Sequence, residues 1–366
     1  MHLATEASDN LPHSAATSNW LSTAAMRFGF GAVVAVVVLF STVCRPQHAC
    51  ACDICAVYTG TELQESRSGL RVGIAEQFTH AATLQNDGED TDNPADEWLD
   101  SSITQLLIGY GVHPRVFLQA NVPIIYRSFQ RAHGTRTERS SESGVGDLSL
   151  HAIGTAYSHV SENSLQRVSV SVGVKLPTGS PSRLREELGG DAHADDPNIP
   201  PVFRSHRFWP RHAKSGPPSG IHGHDLALGT GSTDVILGAQ WIGTYRRLYG
   251  TAMLQYFVRT EGSFDYTYAN ETIVSGGPGV FVWLSHASTL GVQSLLTVDT
   301  KGTDVMHGER LGDTGMTILY AGPAVHWTWK TNLSADVAID VPAIRNNTAL
   351  QIMPDIRVRT GFVWRF

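Results

Sequence analysis

Three groups of side chains in this 366-residue chain are of types that do chemistry. The first is Cys50-Ala51-Cys52-Asp53-Ile54-Cys55, a tight cluster of thiols. Such a cluster can hold a soft metal ion such as Cu(I), or a zinc ion with a further ligand from His48 or Asp53. In an oxidising compartment the same spacing closes a disulfide, Cys52 with Cys55 or Cys50 with Cys55, and leaves an odd thiol. The second group is His222-Gly223-His224-Asp225, which can bring two imidazoles and a carboxylate to one divalent ion. Independent histidines in a solvated, Pro- and Gly-rich loop would give the same letters. The third group is spread along the chain: Arg71, Arg127, His151, Arg167, Asp234, Arg259, Asp299, His326, Asp336, Asp340, Arg357 and Arg359. Gathered on one wall, these residues make either a mixed-charge pore that filters small solutes or a salt-bridge network that fills a narrow space. There is no serine-hydrolase or carboxylate-dyad signature, and His286-Ala287-Ser288 has no third member. The expectation is a protein that is not an enzyme and has no cofactor, unless the thiols hold a soft metal.

The elements that must position these residues are ribbons of period two. Asp355 to Phe366 places Ile356, Val358, Thr360, Phe362, Trp364 and Phe366 on one face and Arg357, Arg359, Gly361, Val363 and Arg365 on the other. This resembles the closing strand of a bacterial outer-membrane β-barrel, whose terminal Phe is read by the insertion machinery, so Phe366 is the expected contact with that machinery. Val168, Val170, Val172, Val174 and Leu176 alternate with Arg167, Ser169, Ser171, Gly173 and Lys175 in the same way. Charged groups on a lipid face cost a few kcal/mol near mid-bilayer, so the polar faces must line a lumen. Glu76 breaks the pattern by sharing a face with Leu70, Val72, Ile74 and Phe78; a bulge or a place near the rim would explain it.

About twelve such ribbons run from residue 70 to 366, joined by short and long connections in alternation. The long ones are expected at 80–103, 128–146, 177–233, 260–273, 300–316 and 342–354. Short periplasmic turns and long outer loops are the pattern of an outer-membrane barrel. The fold class is therefore all-β, a transmembrane antiparallel barrel of about 12 strands. A soluble β-sandwich shares the periodicity but not the loop alternation.

Composition and targeting agree. Charged residues are 17%, Gly numbers 35, and the only long apolar run is Phe28 to Val43. That run suits a signal-peptide core and is short for a stable membrane span. Residues 1–49 are read as a signal peptide with an N-terminal extension, the true start falling at Met26, and cleavage near Ala49-Cys50-Ala51. Residues 50–69 form a Cys-containing lead or plug, and 70–366 the barrel with its long outer loop 177–233. Net charge is −7 with no basic stripe, which excludes a nucleic-acid partner. The expected partners are outer-membrane lipid and a small-molecule solute.

Gly146-Asp147-Leu148-Ser149-Leu150, Val174-Lys175-Leu176-Pro177-Thr178-Gly179 and Leu228-Gly229-Thr230-Gly231-Ser232-Thr233-Asp234 follow one another in that order. They resemble the outer-membrane transporter-like barrels named for the meta-pathway of phenol degradation. The resemblance implies passage of small organic molecules through a polar lumen. The competing function is a non-conducting binding or structural barrel, with metal held by the His-rich loop or the Cys cluster.

If lipid receives the oily faces, the protein fractionates with outer membranes, and unheated samples run at a different mobility from boiled ones in detergent gels. Equal mobilities together with a soluble fraction would end the barrel reading.

Overall fold

The computed structural model describes residues 69–133, 136–188 and 219–366. The signal segment, Met26 and the thiols Cys50, Cys52 and Cys55 lie outside the described residues. Twelve antiparallel strands form the wall: β1 Gly69–Asn86, β2 Trp98–His113, β3 Val116–His133, β4 Ser149–Val160, β5 Ser164–Lys175 and β6 Asp234–Tyr245, then β7 Leu248–Val258, β8 Glu271–Leu284, β9 Ser288–Lys301, β10 Met316–Trp329, β11 Leu333–Asn347 and β12 Leu350–Arg365. Each strand pairs with its neighbours in sequence, and β12 returns to β1 from Arg71↔Arg365 to Asn86↔Leu350, which closes the cylinder. Closure removes both edges, so every wall backbone group has a partner where no water is at hand.

The alternation holds around the wall. On β1, Leu70, Val72 and Ile74 are exposed outward, while Arg71, Ala75, Gln77 and Thr79 are buried inward. On β5, Val170 and Val172 are exposed, and Arg167, Ser169 and Lys175 are buried. Tyr110, Tyr157, Tyr245, Trp283, Trp329, Trp364 and Phe366 ring the short-turn end as exposed aromatics, as an interface girdle requires. A closed barrel with this outer band spans the bacterial outer membrane, short turns in the periplasm and long connections outside.

Glu76 is neither bulged nor at the rim. Its register is regular, opposite Thr104 on β2 and Thr360 on β12. It accepts hydrogen bonds from Ser102 Oγ at 2.5 Å and from Thr104 Oγ1, two hydroxyls on the same outward face. Just above, His80 Nδ1 and Asp100 Oδ1 lie 2.6 Å apart. These outward polar groups of β1 and β2 are thus answered within the wall.

The outer strand ends run further than the alternation suggests. Most of 80–103 and 342–354 is strand, and β11 meets β12 through a turn at Thr348-Ala349, where Ala349 has φ 51°. Arg136–Val145 within 128–146 is also a strand, paired with the upper half of β3 from Ile124↔Val145 to His133↔Arg136. Beyond the lipid the outer face need not be oily, so pairing continues where the apolar signal stops.

Val170 is half exposed within the outward band of β5. Val170→Arg should cost about 2–4 kcal/mol if it sits near the bilayer midplane. Denaturant titration of the folded protein in liposomes reads this loss, and an unchanged midpoint would contradict a lipid-facing Val170.

Candidate functional site

Of the twelve residues expected on the inner face, eleven stand on wall strands with buried or half-buried side chains, and Arg259 follows the end of β7. Asp340 accepts from Arg357 Nε at 3.0 Å and lies 2.8 Å from Arg359 Nε, and Asp299 is 3.8 Å from Arg357. Arg357 also stacks over the Tyr320 ring at 4.0 Å, and Arg71 over Phe117 at 4.3 Å. Asp336 is set beside His326 by register, and His326 Nε2 meets Gln293 Oε1 at 3.0 Å. His151 contacts Ser149 Oγ at 3.1 Å. Arg167 projects inward on β5. Arg127, Asp234 and Arg259 do something else: they anchor a segment of the outer loop.

That anchor joins the three short motifs singled out above. Lys175, at the outer end of β5, places Nζ 2.7 Å from Asp147 Oδ2 and 2.9 Å from Asp234 Oδ2, and also donates to Thr230 Oγ1. Asp147 accepts from the Thr230 backbone at 2.9 Å and the Gly179 backbone at 2.9 Å. Arg259 continues the chain of charges, donating to Asp234 at 3.0 Å and to Glu271 at 2.8 Å. All five charged members are buried. A buried carboxylate is tolerated only when paired and hydrogen-bonded, and here each charge has a partner of opposite sign. Gly179 and Gly229 meet backbone to backbone; a Cβ on Gly229 would lie 2.5 Å from the Gly179 carbonyl carbon.

From this knot the chain crosses the outer lumen. Residues 219–228 carry Ile221, Leu226, Ala227 and Leu228, all buried, with a helical turn at Gly223–Leu226. Ile221 and Leu226 pack on Ala81, Leu84, Phe129 and Ile352 of β1, β3 and β12. Ala227 packs with Leu184, Ile236, Phe257 and Tyr266 near β6 and β7. The segment is also tied by polar groups. Arg127, 1% exposed, donates to the carbonyls of Asp225 and Ala227, the latter at 3.1 Å. Glu97 accepts from the Gly220 backbone at 2.8 Å and from Ala132 at 2.5 Å. Gly220 passes so close to the wall that a Cβ would lie 2.3 Å from Leu84 Cδ1 and 2.9 Å from the Ile352 nitrogen. A small cleft remains between segment and wall, lined by Thr79, Leu99, Ser101, Arg127, Gln351 and Ile352.

His222, His224 and Asp225 come together on this segment. One nitrogen or oxygen from each lies within 4.8 Å of the others. The imidazoles stack with centroids 5.4 Å apart. His224 Nε2 is 3.4 Å from Asp225 Oδ1, and its Nδ1 is 3.0 Å from Glu187 Oε1. Burial alone would push His224 down, but the Asp225 and Glu187 carboxylates outweigh it and hold the imidazole up at about 10. Burial likewise opposes ionisation of Glu187, and His224 overrides it, bringing the carboxyl down to about 2. The Cys alternative to this metal candidate lies outside the described residues.

Sequence reasoning passed over Glu97, Glu187, Glu271 and Asp313, whose roles depend on contacts across the lumen. Lys175 carried a usable signal: the chain has only four lysines among 27 basic residues, and two of them, Lys175 and Lys301, are buried in ion pairs.

Among solved structures the chain is similar to an outer membrane channel from Pseudomonas putida F1, at 13% identity and TM-score 0.55, over 85% of this chain and 100% of that one. It is also similar to the translocator domain of the autotransporter NalP from Neisseria meningitidis, at 12% identity and TM-score 0.37, over 83% and 91% of the two chains. A TodX monoaromatic hydrocarbon channel variant matches at 10% identity and TM-score 0.37, over 82% and 91%. No protein family and no curated protein matches the sequence. The lipid-facing wall makes the chain an outer-membrane β-barrel in fold, and the first of these structures shares that fold.

Lys175→Met removes the cation shared by two buried carboxylates. It should lower stability by about 3–5 kcal/mol, the range for an uncompensated buried charge. Asp147→Asn in the same chain should recover part of that loss; additive losses in the double variant would show that the two side chains act separately.

Proposed function

We propose that this protein is a passive outer-membrane channel for small organic solutes. Supporting the reading is one arrangement above all: a closed barrel with a polar inner face, crossed near its outer mouth by the tied segment 219–228. Such a segment narrows the lumen without adding a domain, and the cleft beside it joins apolar Leu99 and Ile352 to polar Ser101 and Gln351. That mixture suits a solute with an oily body and a polar edge. The inward charges of β9, β11 and β12 set a field that discriminates solutes by charge as well as size. The three motif strings support the finer assignment, to the transporter-like barrels named for the meta-pathway of phenol degradation. The similar Pseudomonas putida structure, an outer membrane channel, points the same way. Lipid, the solute and the insertion machinery at Phe366 are the partners this reading requires; it gives the protein no catalytic role.

The competing reading is a non-conducting barrel that uses the segment to bind. What favours it is the number of ties on 219–228: Arg127, Glu97 and the Tyr268 hydroxyl, which donates to the His224 carbonyl at 3.1 Å.

Planar-bilayer recordings of the refolded full chain separate the two. Wild type should give small unitary steps, and Arg127→Ala, which frees two carbonyls of the segment, should give larger or noisier ones. Silence from wild type, from Arg127→Ala and from a chain lacking 219–226 would sink the channel reading.

A further inference from the structure

We propose that His222, His224 and Asp225 form a binding site for a borderline divalent transition-metal ion of the Zn2+ type. The site sits on the helical turn of the lumen-crossing segment. The inference stands whether or not the barrel conducts, because it rests on the donor set alone.

The donors are of the right kind. Two imidazoles and a carboxylate select zinc-like ions over calcium or magnesium, which take oxygen ligands. The distances are near those of a tetrahedral site. With metal–ligand bonds of roughly 2.0–2.2 Å, ligand atoms sit roughly 3.3–3.5 Å apart. His224 Nε2 and Asp225 Oδ1 are 3.4 Å apart. His222 Nδ1 is 4.0 Å from Asp225 Oδ2, so a modest ring rotation closes the third edge.

The outer shell is equally specific. A ligating histidine commonly gives its second nitrogen to a carboxylate, which fixes the tautomer. His224 Nδ1 faces Glu187 Oε1 at 3.0 Å, leaving Nε2 for the ion. His222 Nε2 faces Asp313 Oδ2 at 3.7 Å, leaving Nδ1. Both rings therefore turn their remaining nitrogen toward the same carboxylate.

His222 Nδ1 is buried and makes no hydrogen bond among the described residues. An ion between the two rings would take this nitrogen as a ligand. Three carboxylates, Asp225, Glu187 and Asp313, surround the position and supply the charge that a dication needs. The side chains of His222 and Asp225 are 18% and 24% exposed, which leaves an entry path from the outer side.

The test uses the refolded full chain with Cys44, Cys50, Cys52 and Cys55 changed to Ser, which removes every thiol ligand. It is equilibrated with Zn2+ and desalted, and bound metal is counted; Co2+ in its place reports the ligand field by its visible spectrum. The expected result is about one ion per chain and a tetrahedral nitrogen–oxygen cobalt spectrum. His222→Gln should weaken binding at least about tenfold, and Glu187→Gln, which touches only the outer shell, by about 10–100-fold. His222 is partly exposed, and heat-dependent gel migration confirms that its variant is folded. No retained metal in the thiol-free chain overturns the proposal. So does undiminished binding in a folded His222→Gln, His224→Gln double variant, which would place the ion elsewhere.

Discussion

The buried line of alternating charges Asp147–Lys175–Asp234–Arg259–Glu271 is what the outer half of this molecule depends on. It sits where the outer ends of five consecutive strands, β4 to β8, meet the ends of the longest outer connection. Without it the strand ends would still pair, but the segment would lose its tie to the wall at Gly179 and Thr230. Lys175 spans two carboxylates that belong to different strands, and Thr230 and Gly179 bring the loop backbone to the same point. An apolar replacement of the same volume could be as stable. It could not direct backbone amides to one oxygen each, and that direction is what sends residues 219–228 across the lumen.

The wall was legible in the sequence. Alternation such as Val168 to Lys175 and the twelve ribbons correspond to the strands observed, because lipid enforces one oily face wherever the strand lies in it; the rhythm of short and long connections holds except at 342–354, where β11 and β12 are joined by the two-residue turn Thr348-Ala349. Legibility stops at the membrane surface. The strand Arg136–Val145 and the upper reaches of β1, β2, β11 and β12 stand in water, where either face may be polar, so pairing leaves no periodic trace. The twelve charged residues were assignable to the inner face for the same reason. Their partners were not, since Arg127 bonds to carbonyls about a hundred residues away and Asp147 to Thr230 through a contact that spacing does not encode. The three motif strings were visible as strings; that they converge on one buried lysine is a property of the closed cylinder.

Glu76 shows the limit of the oily-face rule in the opposite direction. A carboxylate facing lipid is costly when bare, yet with Ser102 and Thr104 as donors much of its hydration is replaced within the wall. The rule therefore governs pairs and triplets of neighbours on adjacent strands, and one residue read alone gives a false alarm.

The distance along the chain between the parts of the buried charge line has a bearing on biogenesis. Asp147 and Thr230 are separated by 83 positions, with all of β4 and β5 between them. Their union needs the hairpin of those two strands and the start of β6 already in place, since Lys175 and Asp234 are opposite one another only in that register. The far end of the segment, by contrast, rests on Ala81, Leu84 and Ile352, so its seat exists only where β1 and β12 stand side by side.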